Sequence, residues 1–231
     1  MRSLLASVIL PTRGRPHMLP VAVESVLAQT CGDWELVILD NTPEPYYPAS
    51  PWDDPRIRYH HELCDGIADA STRALRLARG EVIVPLADDD RLAPTCVETI
   101  RRVFSDPAVR WANAITEIRD EHGRVTGHRG GTPDSVASTV AGSFWLGGAV
   151  WWRREMTATF GYDPRFDGAA DMDLYLRFVE QADPVLVPEV MYLYLDHPGT
   201  DSRQRLPVQI EHSATIAQEW RSRRAEVTSA V

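Results

Sequence analysis

Residues 81–90 read EVIVPLADDD, an apolar, β-branched run closed by three consecutive carboxylates, Asp88, Asp89 and Asp90. A short unbroken apolar run is the pattern of a strand buried on both faces. Three adjacent carboxylates repel one another unless cations or hydrogen-bond donors compensate them. A divalent ion bridging a nucleotide diphosphate supplies that compensation. Magnesium and manganese take oxygen ligands and need only one or two protein carboxylates beside the phosphates. A solvated acidic turn, or a cluster favoured by the dipole of the helix that Pro94 starts, explains the same residues without a ligand. The position directly after a buried strand favours the metal.

Outward from this stretch, two more apolar runs end in polar residues. Leu4 to Leu10 is followed by Pro11-Thr12-Arg13, and ELVILD (Glu35 to Asp40) by Asn41. Helical spacing separates them. Pro20 sits at a first helical position ahead of Val21, Val23, Val26 and Leu27, Ala68 to Ala78 is periodic, and Pro94 opens a helix to about Phe104. Arg56 to His60 reads as a further strand, after a loop with five prolines between Pro43 and Pro55. Buried strands separated by helices predict an α/β fold with a mostly parallel central sheet flanked by helices. Ligands bind at the carboxyl ends of such strands, so the polar strand ends predict one shared cleft.

The second half changes character. Arg110 to Arg119 reads as a strand, with a turn at Glu121-His122-Gly123 and a returning strand. Gly130-Gly131 and Gly147-Gly148 mark loops, and Leu146 to Trp152 is apolar. Trp151 and Trp152 alternate faces of a strand, which predicts one in the core and the other on the cleft. Met172 to Phe178 is an amphipathic helix, Pro184 to Leu195 a strand, and Pro207 to about Ala225 a terminal helix. No linker interrupts the chain, so a single domain is expected.

Individual residues carry two readings each. Asp40 forms an Asx turn, or accepts a hydrogen bond from the N–H edge of a nucleobase. Asp171 stands at a helix N-cap with Asp173 in the first turn, both favourable there for structural reasons. A carboxylate at a helix entrance also serves as a general base when it faces a cleft. His197 ends a strand before a Pro-Gly turn, as a structural hydrogen-bonder or as a metal ligand through its imidazole.

Composition bounds the partners. The 231 residues carry a formal net charge of −9, from 24 Lys+Arg against 33 Asp+Glu, and every basic residue among those 24 is Arg. That balance argues against a nucleic-acid or anionic-membrane binder, whose affinity comes from excess cations. Cys31, Cys64 and Cys96 form no CxxC, which points to free thiols in a reducing compartment. The first apolar run is too short for a signal peptide, and no stretch approaches the ~20 apolar residues of a membrane span. A soluble, cytoplasmic chain is expected.

Taken together, the clusters resemble glycosyltransferase family 2, nucleotide-sugar-dependent transferases of the GT-A fold. SVILPTRGRPHMLPVAVESVLAQTCGDWELVILDN is similar to that family's opening, S-V-I-I-P-T-Y-N-R, then E-S-V-L-x-Q-T, then a strand ending in Asp. ARGEVIVPLADDD resembles its A-x-G-E-x-I and D-x-D segment, FGYDPRFDGAADMDLYLR its G-x-F-D-E and E-D-x-D-L-x-L-R segment, and YLDHPGTDS its closing Tyr-x-x-His segment.

The resemblance implies roles. Pro11, Thr12, Arg13 and Asp40 border the nucleobase, Asp40 contacting a uracil-type N–H. Asp89 lies at the ribose or diphosphate, and Asp90 is the main carboxylate for Mn2+ or Mg2+, with Asp88 and His197 as further ligands. Asp171 is the general base, and Gly148, Trp151, Trp152 and Asp173 face the acceptor. Residues 1 to about 105 form the nucleotide-sugar half, and about 106–231 the acceptor half with its C-terminal helix.

Departures include Arg13-Gly14 for Tyr-Asn, Asn41 for Asp, Ala87 for the first Asp of D-x-D-D, Ser71-Thr72 for Arg-Asn, and Ala170 for Glu. The implied activity is metal-assisted, inverting transfer of a hexosyl group from a UDP- or dTDP-sugar to a hydroxyl. The acceptor is a small molecule or a cell-envelope precursor, and the chain is expected as a homodimer. The rivals are a nucleotidyltransferase of similar fold and a non-catalytic nucleotide-sugar binder.

Overall fold

The apolar runs of the first half are strands because both their faces are covered. The computed structural model describes residues 5–47, 52–140 and 146–229, so Leu4 and the middle of the proline-rich loop lie outside the described residues. The first half runs β1 (Ala6–Thr12), α1 (Leu19–Leu27), β2 (Trp34–Asp40), β3 (Ile57–His61), α2 (Gly66–Leu77), β4 (Val82–Pro85), β5 (Arg91–Leu92) and α3 (Cys96–Val103). The second half adds β6 (Trp111–Asp120), β7 (Val125–Gly130), α4 (Pro133–Val140), β8 (Val150–Arg153), α5 (Ala170–Val179), β9 (Val185–Asp196), α6 (Asp201–Gln204) and α7 (Leu206–Ser229).

β1 lies between β2 and β4, parallel to both, and β3 adds in parallel outside β2. Thr12 registers with Asp40, so the polar ends of β1 and β2 are level. The sheet then changes sense. β8 pairs antiparallel with both β4 and β6, β9 runs parallel to β6, and β7 and β5 pair antiparallel with β6 and β9. The strand order is β3-β2-β1-β4-β8-β6-β9-β5, with β7 beside β6. The sheet is therefore mixed. The parallel expectation describes the β1–β4 block, where helices alternate with strands. In the second half the Glu121-His122-Gly123 turn makes a hairpin, with Gly123 at φ 78°. Register shifts between β6 and β9 at Ala114–Thr116 bend this half and curl the sheet.

Two apolar layers sandwich the sheet. One packs Val8, Leu10, Leu36 and Val84 against α1 and α3, and the other packs Ile9, Val37, Leu39 and Ile83 against α2 and α5. A third cluster joins α5 to α7 through Phe166, Met172, Leu176, Ile216, Ala217 and Trp220. Trp151 and Trp152 do point to opposite faces, but they are 1% and 0% exposed and belong one to each layer. Neither lines a cleft, which corrects their acceptor-side assignment. β8 is an interior strand with helices over both faces, so both indoles are core.

Gly80, just before β4, shows how closely the block is packed. Its N–H donates to Ser7 Oγ at 2.8 Å, and a Cβ there would lie 2.7 Å from Ser7 N and 2.8 Å from the Ala6 carbonyl carbon. Those are backbone atoms of the central strand and cannot swing aside. Gly80→Ala is expected to cost ~1–3 kcal/mol through overpacking, read as a lower urea midpoint. An unchanged midpoint would show that β1 and β4 tolerate a wider spacing.

Candidate active site

A cavity of about 1570 Å³ opens at the carboxyl ends of β1 and β4 and is bounded by α2, α5, α6 and the start of α7. A pocket for one small ligand occupies roughly 300–1,000 Å³, so this cleft has room for two. Pro11 and Thr12 line it from β1, Arg13 from just after β1, Asp88, Asp89 and Asp90 from the turn after β4, Gly148 from before β8, Asp171 from α5 and His197 from after β9. Asn41 lines it as well, whereas Asp40, Asp173, Trp151 and Trp152 do not.

The three aspartates point three ways. Asp88 is buried; its Oδ2 accepts from Thr12 Oγ1 at 2.7 Å and its Oδ1 from Arg15 Nη1 at 2.9 Å. Burial pushes its carboxyl up, and the bonds from Thr12 and Arg15 only partly offset that. Asp90 is turned away into the sheet. Its Oδ2 accepts from the Tyr192 hydroxyl at 2.7 Å and its Oδ1 from Leu195 N–H at 2.8 Å, and burial with Asp89 nearby raises it well above the carboxylate range. Asp89 Oδ2 accepts from Arg15 Nη1 at 2.6 Å and meets His197 Nε2 at 3.2 Å, while Oδ1 accepts no hydrogen bond from the described residues.

The three carboxylates assigned to the metal are engaged differently from one another in the fold. Among the described residues no three His, Cys, Asp or Glu groups converge as a ready cage for a metal ion. Asp88 is committed to Thr12 and Arg15, and Asp90 to β9. Gly199 N–H donates to His197 Nδ1 at 3.1 Å, so the neutral ring carries its proton on Nε2 and offers Asp89 a donor, not a lone pair. Asp89 is left as the carboxylate with a free oxygen on the cleft. One such carboxylate beside a diphosphate fits magnesium or manganese, which need little more from a protein.

Arg15 was not among the sequence candidates, yet it is the hub of the carboxylate cluster. It bridges Asp88 and Asp89 and donates from Nη2 to Gly199 O at 3.0 Å, tying the loop after β1 to the loop after β9. The signal was present in the resemblance, because the closing Arg of P-T-Y-N-R falls on Arg15. Tyr192 was also missed. Its ring packs where a Cβ on Gly148 would sit, 2.6 Å from Cζ, and its hydroxyl accepts from Ala87 N–H at 3.1 Å while donating to Asp90.

Asp40 does not line the cleft. Its Oδ1 accepts from Thr42 N–H at 3.0 Å and Thr42 Oγ1 at 2.6 Å, and its Oδ2 from Tyr46 N–H at 2.9 Å and the Tyr59 hydroxyl. Burial opposes its charge, but these four bonds prevail and hold the carboxyl below its usual range. The Asx-turn reading describes it, with both carboxylate oxygens engaged within the chain. Its neighbour Asn41 reaches the cleft and accepts from Cys64 N–H at 2.7 Å.

Asp171 is in the first turn of α5, but the N-cap is Ala169, with no side-chain cap bond. The capping role is therefore corrected. Asp171 Oδ1 accepts from Met172 N–H at 2.9 Å, and burial pushes the carboxyl up to about 6 against the pull of that bond and of Arg129. Asp173 lies two residues on, about 200° around the helix, where Arg177 holds it at 2.5 Å. It faces away from the cleft, which corrects its acceptor-side assignment.

Residues 7–153, well over half of the chain, match the family described as glycosyl transferase family 2. A PGL/p-HBAD biosynthesis glycosyltransferase of Mycobacterium bovis is 29% identical over 199 residues, covering 84% of this chain and 76% of the relative. A chondroitin synthase of Escherichia coli is 25% identical over 233 residues, covering 95% of this chain and 33% of that protein. The crystal structure of residues 1–349 of S. aureus TarS in complex with UDP-GlcNAc superimposes with a TM-score of 0.64 at 14% identity, over 85% of this chain and 60% of that one. At that identity the likeness establishes the fold, which is GT-A. By sequence match and fold together, the chain belongs to glycosyltransferase family 2.

Proposed function

We propose that this cleft transfers a sugar from a nucleotide-diphosphate donor, a UDP- or dTDP-sugar, to a hydroxyl acceptor with inversion at the anomeric carbon. The observation that carries the reading is Asp171, a carboxyl raised to about 6 that lines the same cavity as Arg15 and Asp89. A base poised near neutral pH is what deprotonation of a hydroxyl needs. The UDP-GlcNAc complex of TarS supports a UDP-sugar donor.

In this mechanism the acceptor oxygen attacks the anomeric carbon from the side opposite the diphosphate. The bond from that carbon to the diphosphate oxygen breaks, and the acceptor proton passes to Asp171. Arg15 and the exposed Arg13 hold positive charge where the leaving diphosphate gathers negative charge. Asp89 would hold a magnesium or manganese ion beside the donor phosphates, and such an ion would supply further positive charge at the leaving group. Among the described residues no helix is long and apolar enough to cross a membrane.

Product analysis tests the reading. Incubation with a UDP-sugar and an acceptor panel is expected to release one nucleoside diphosphate per glycoside formed, with the anomeric configuration inverted. Release of pyrophosphate would identify a nucleotidyltransferase, and a retained configuration would remove the single-displacement mechanism.

A further inference from the structure

We infer that the acceptor carries a ring-sized or longer apolar group beside the hydroxyl that receives the sugar. This inference rests on the reading of the cleft as the transfer site.

Leu206, Ile210 and Ala214 are spaced four residues apart on α7 and form one row along the helix. All three line the cleft, yet Leu206 is 51% and Ile210 62% exposed. The contacts that hold α7 to α5 are made further along the helix, through Ile216, Ala217 and Trp220. Across the cleft mouth stands Ile67, 41% exposed and also lining the cavity. Asp167 fixes the two sides: its Oδ1 accepts from Ala68 N–H at 2.8 Å and its Oδ2 from Arg205 Nη1 at 3.0 Å. Ile67 and Leu206 are the chain neighbours of those two donor residues, and both line the cleft.

The result is an apolar lip continuous with the segment that carries the base. Asp167 is four residues before Asp171, and Gly168 N–H donates to His212 Nδ1 on α7 at 3.2 Å. The donor side of the cleft is lined by Arg15 and the aspartates, so a charged nucleotide diphosphate is matched there and not at the lip. The occupant of the lip is the apolar part of the second substrate.

The test measures calorimetric binding of methyl, phenyl and octyl β-glucosides to the UDP-loaded protein, the octyl compound kept below its micelle concentration. At least one apolar member is expected to bind ~10-fold or more tightly than the methyl compound, the factor expected when a side-chain-sized apolar surface leaves water. The phenyl and octyl arms distinguish an aromatic from an aliphatic group. Ile210→Ser and Ile67→Ser, on separate helices, are each expected to remove the preference with UDP affinity unchanged, and Ile210→Leu to keep it. Equal affinity for all three glucosides, or no binding of any, would overturn the inference. So would sedimentation showing that a wild-type dimer becomes a monomer in Ile210→Ser, because the lip would then be a contact between copies. Failure of the wild-type protein to bind UDP would instead strike the transferase reading, while an octyl or phenyl preference without UDP would leave the lip standing.

Discussion

Asp171→Asn is expected to slow sugar transfer at least ~100-fold, the usual loss when a general base is removed, without weakening the fold. Asn retains an oxygen for the bond from Met172 N–H, and no cap is lost because Ala169 occupies that position. The sign of the stability change follows from the raised carboxyl. A group at about 6 in the fold and near 3.8 when free favours folding fully only in its protonated form. That contribution is complete below 3.8 and lost as pH rises through about 6. At pH 8 the wild type carries a desolvated charge that Asn does not, so the variant is expected to melt no lower and to gain up to about 3 kcal/mol. Wild-type transfer should rise with pH through about 6 as the carboxylate forms, and the residual rate of the variant should be flat there. A variant near the wild-type rate would move the base elsewhere, with Asp201 the next carboxylate on the cleft.

Arg15→Ala is the second large effect. It leaves Asp88 and Asp89 adjacent with no cation between them. The Asp88 side chain is only 6% exposed and that of Arg15 24%. Removing one partner of a buried pair costs ~3–5 kcal/mol, and the partial exposure of Arg15 places this loss near the lower figure. Because burial already pushes the Asp88 carboxyl up, Asp88 can take up a proton once Arg15 is gone, and the loss should be larger at pH 8 than at pH 5 in urea melts. Donor binding should fall with it. A loss under ~1 kcal/mol at both pH values would show that Arg15 is a solvated surface pair of the ordinary weak kind.

The sequence showed the parallel block clearly, because β1, β2 and β4 are buried on both faces and unbroken apolar runs have one simple explanation. It also placed Thr12, Asp88, Asp89, Gly148, Asp171 and His197 on one cleft, since polar residues at strand ends and helix entrances converge in an α/β sheet. What it could not show was orientation. Asp88, Asp89 and Asp90 are chemically identical neighbours, and which of them faces the cleft is decided by Thr12 on β1 and by Tyr192, 102 residues after Asp90. Asp40 has the right position for a base contact, but Thr42, Tyr46 and Tyr59 saturate it. Alternation put Trp151 and Trp152 on opposite faces correctly. Only the antiparallel pairing of β8 with β4 and β6 reveals that both faces are buried. Arg15 acts through partners 73 and 74 residues away, a distance at which periodicity carries no information.

We propose that the cleft holds a nucleotide diphosphate with a metal ion at Asp89. Calorimetric titration of UDP, with and without manganese, tests it most directly on the wild type, Asp89→Asn and Asp90→Asn. Saturable one-to-one binding to the wild type, tightened by manganese, is expected. Asp89→Asn should lose the manganese-dependent part, and Asp90→Asn should keep it. Absence of UDP and dTDP binding to the wild type in either condition, or a manganese effect that survives in Asp89→Asn, would contradict it.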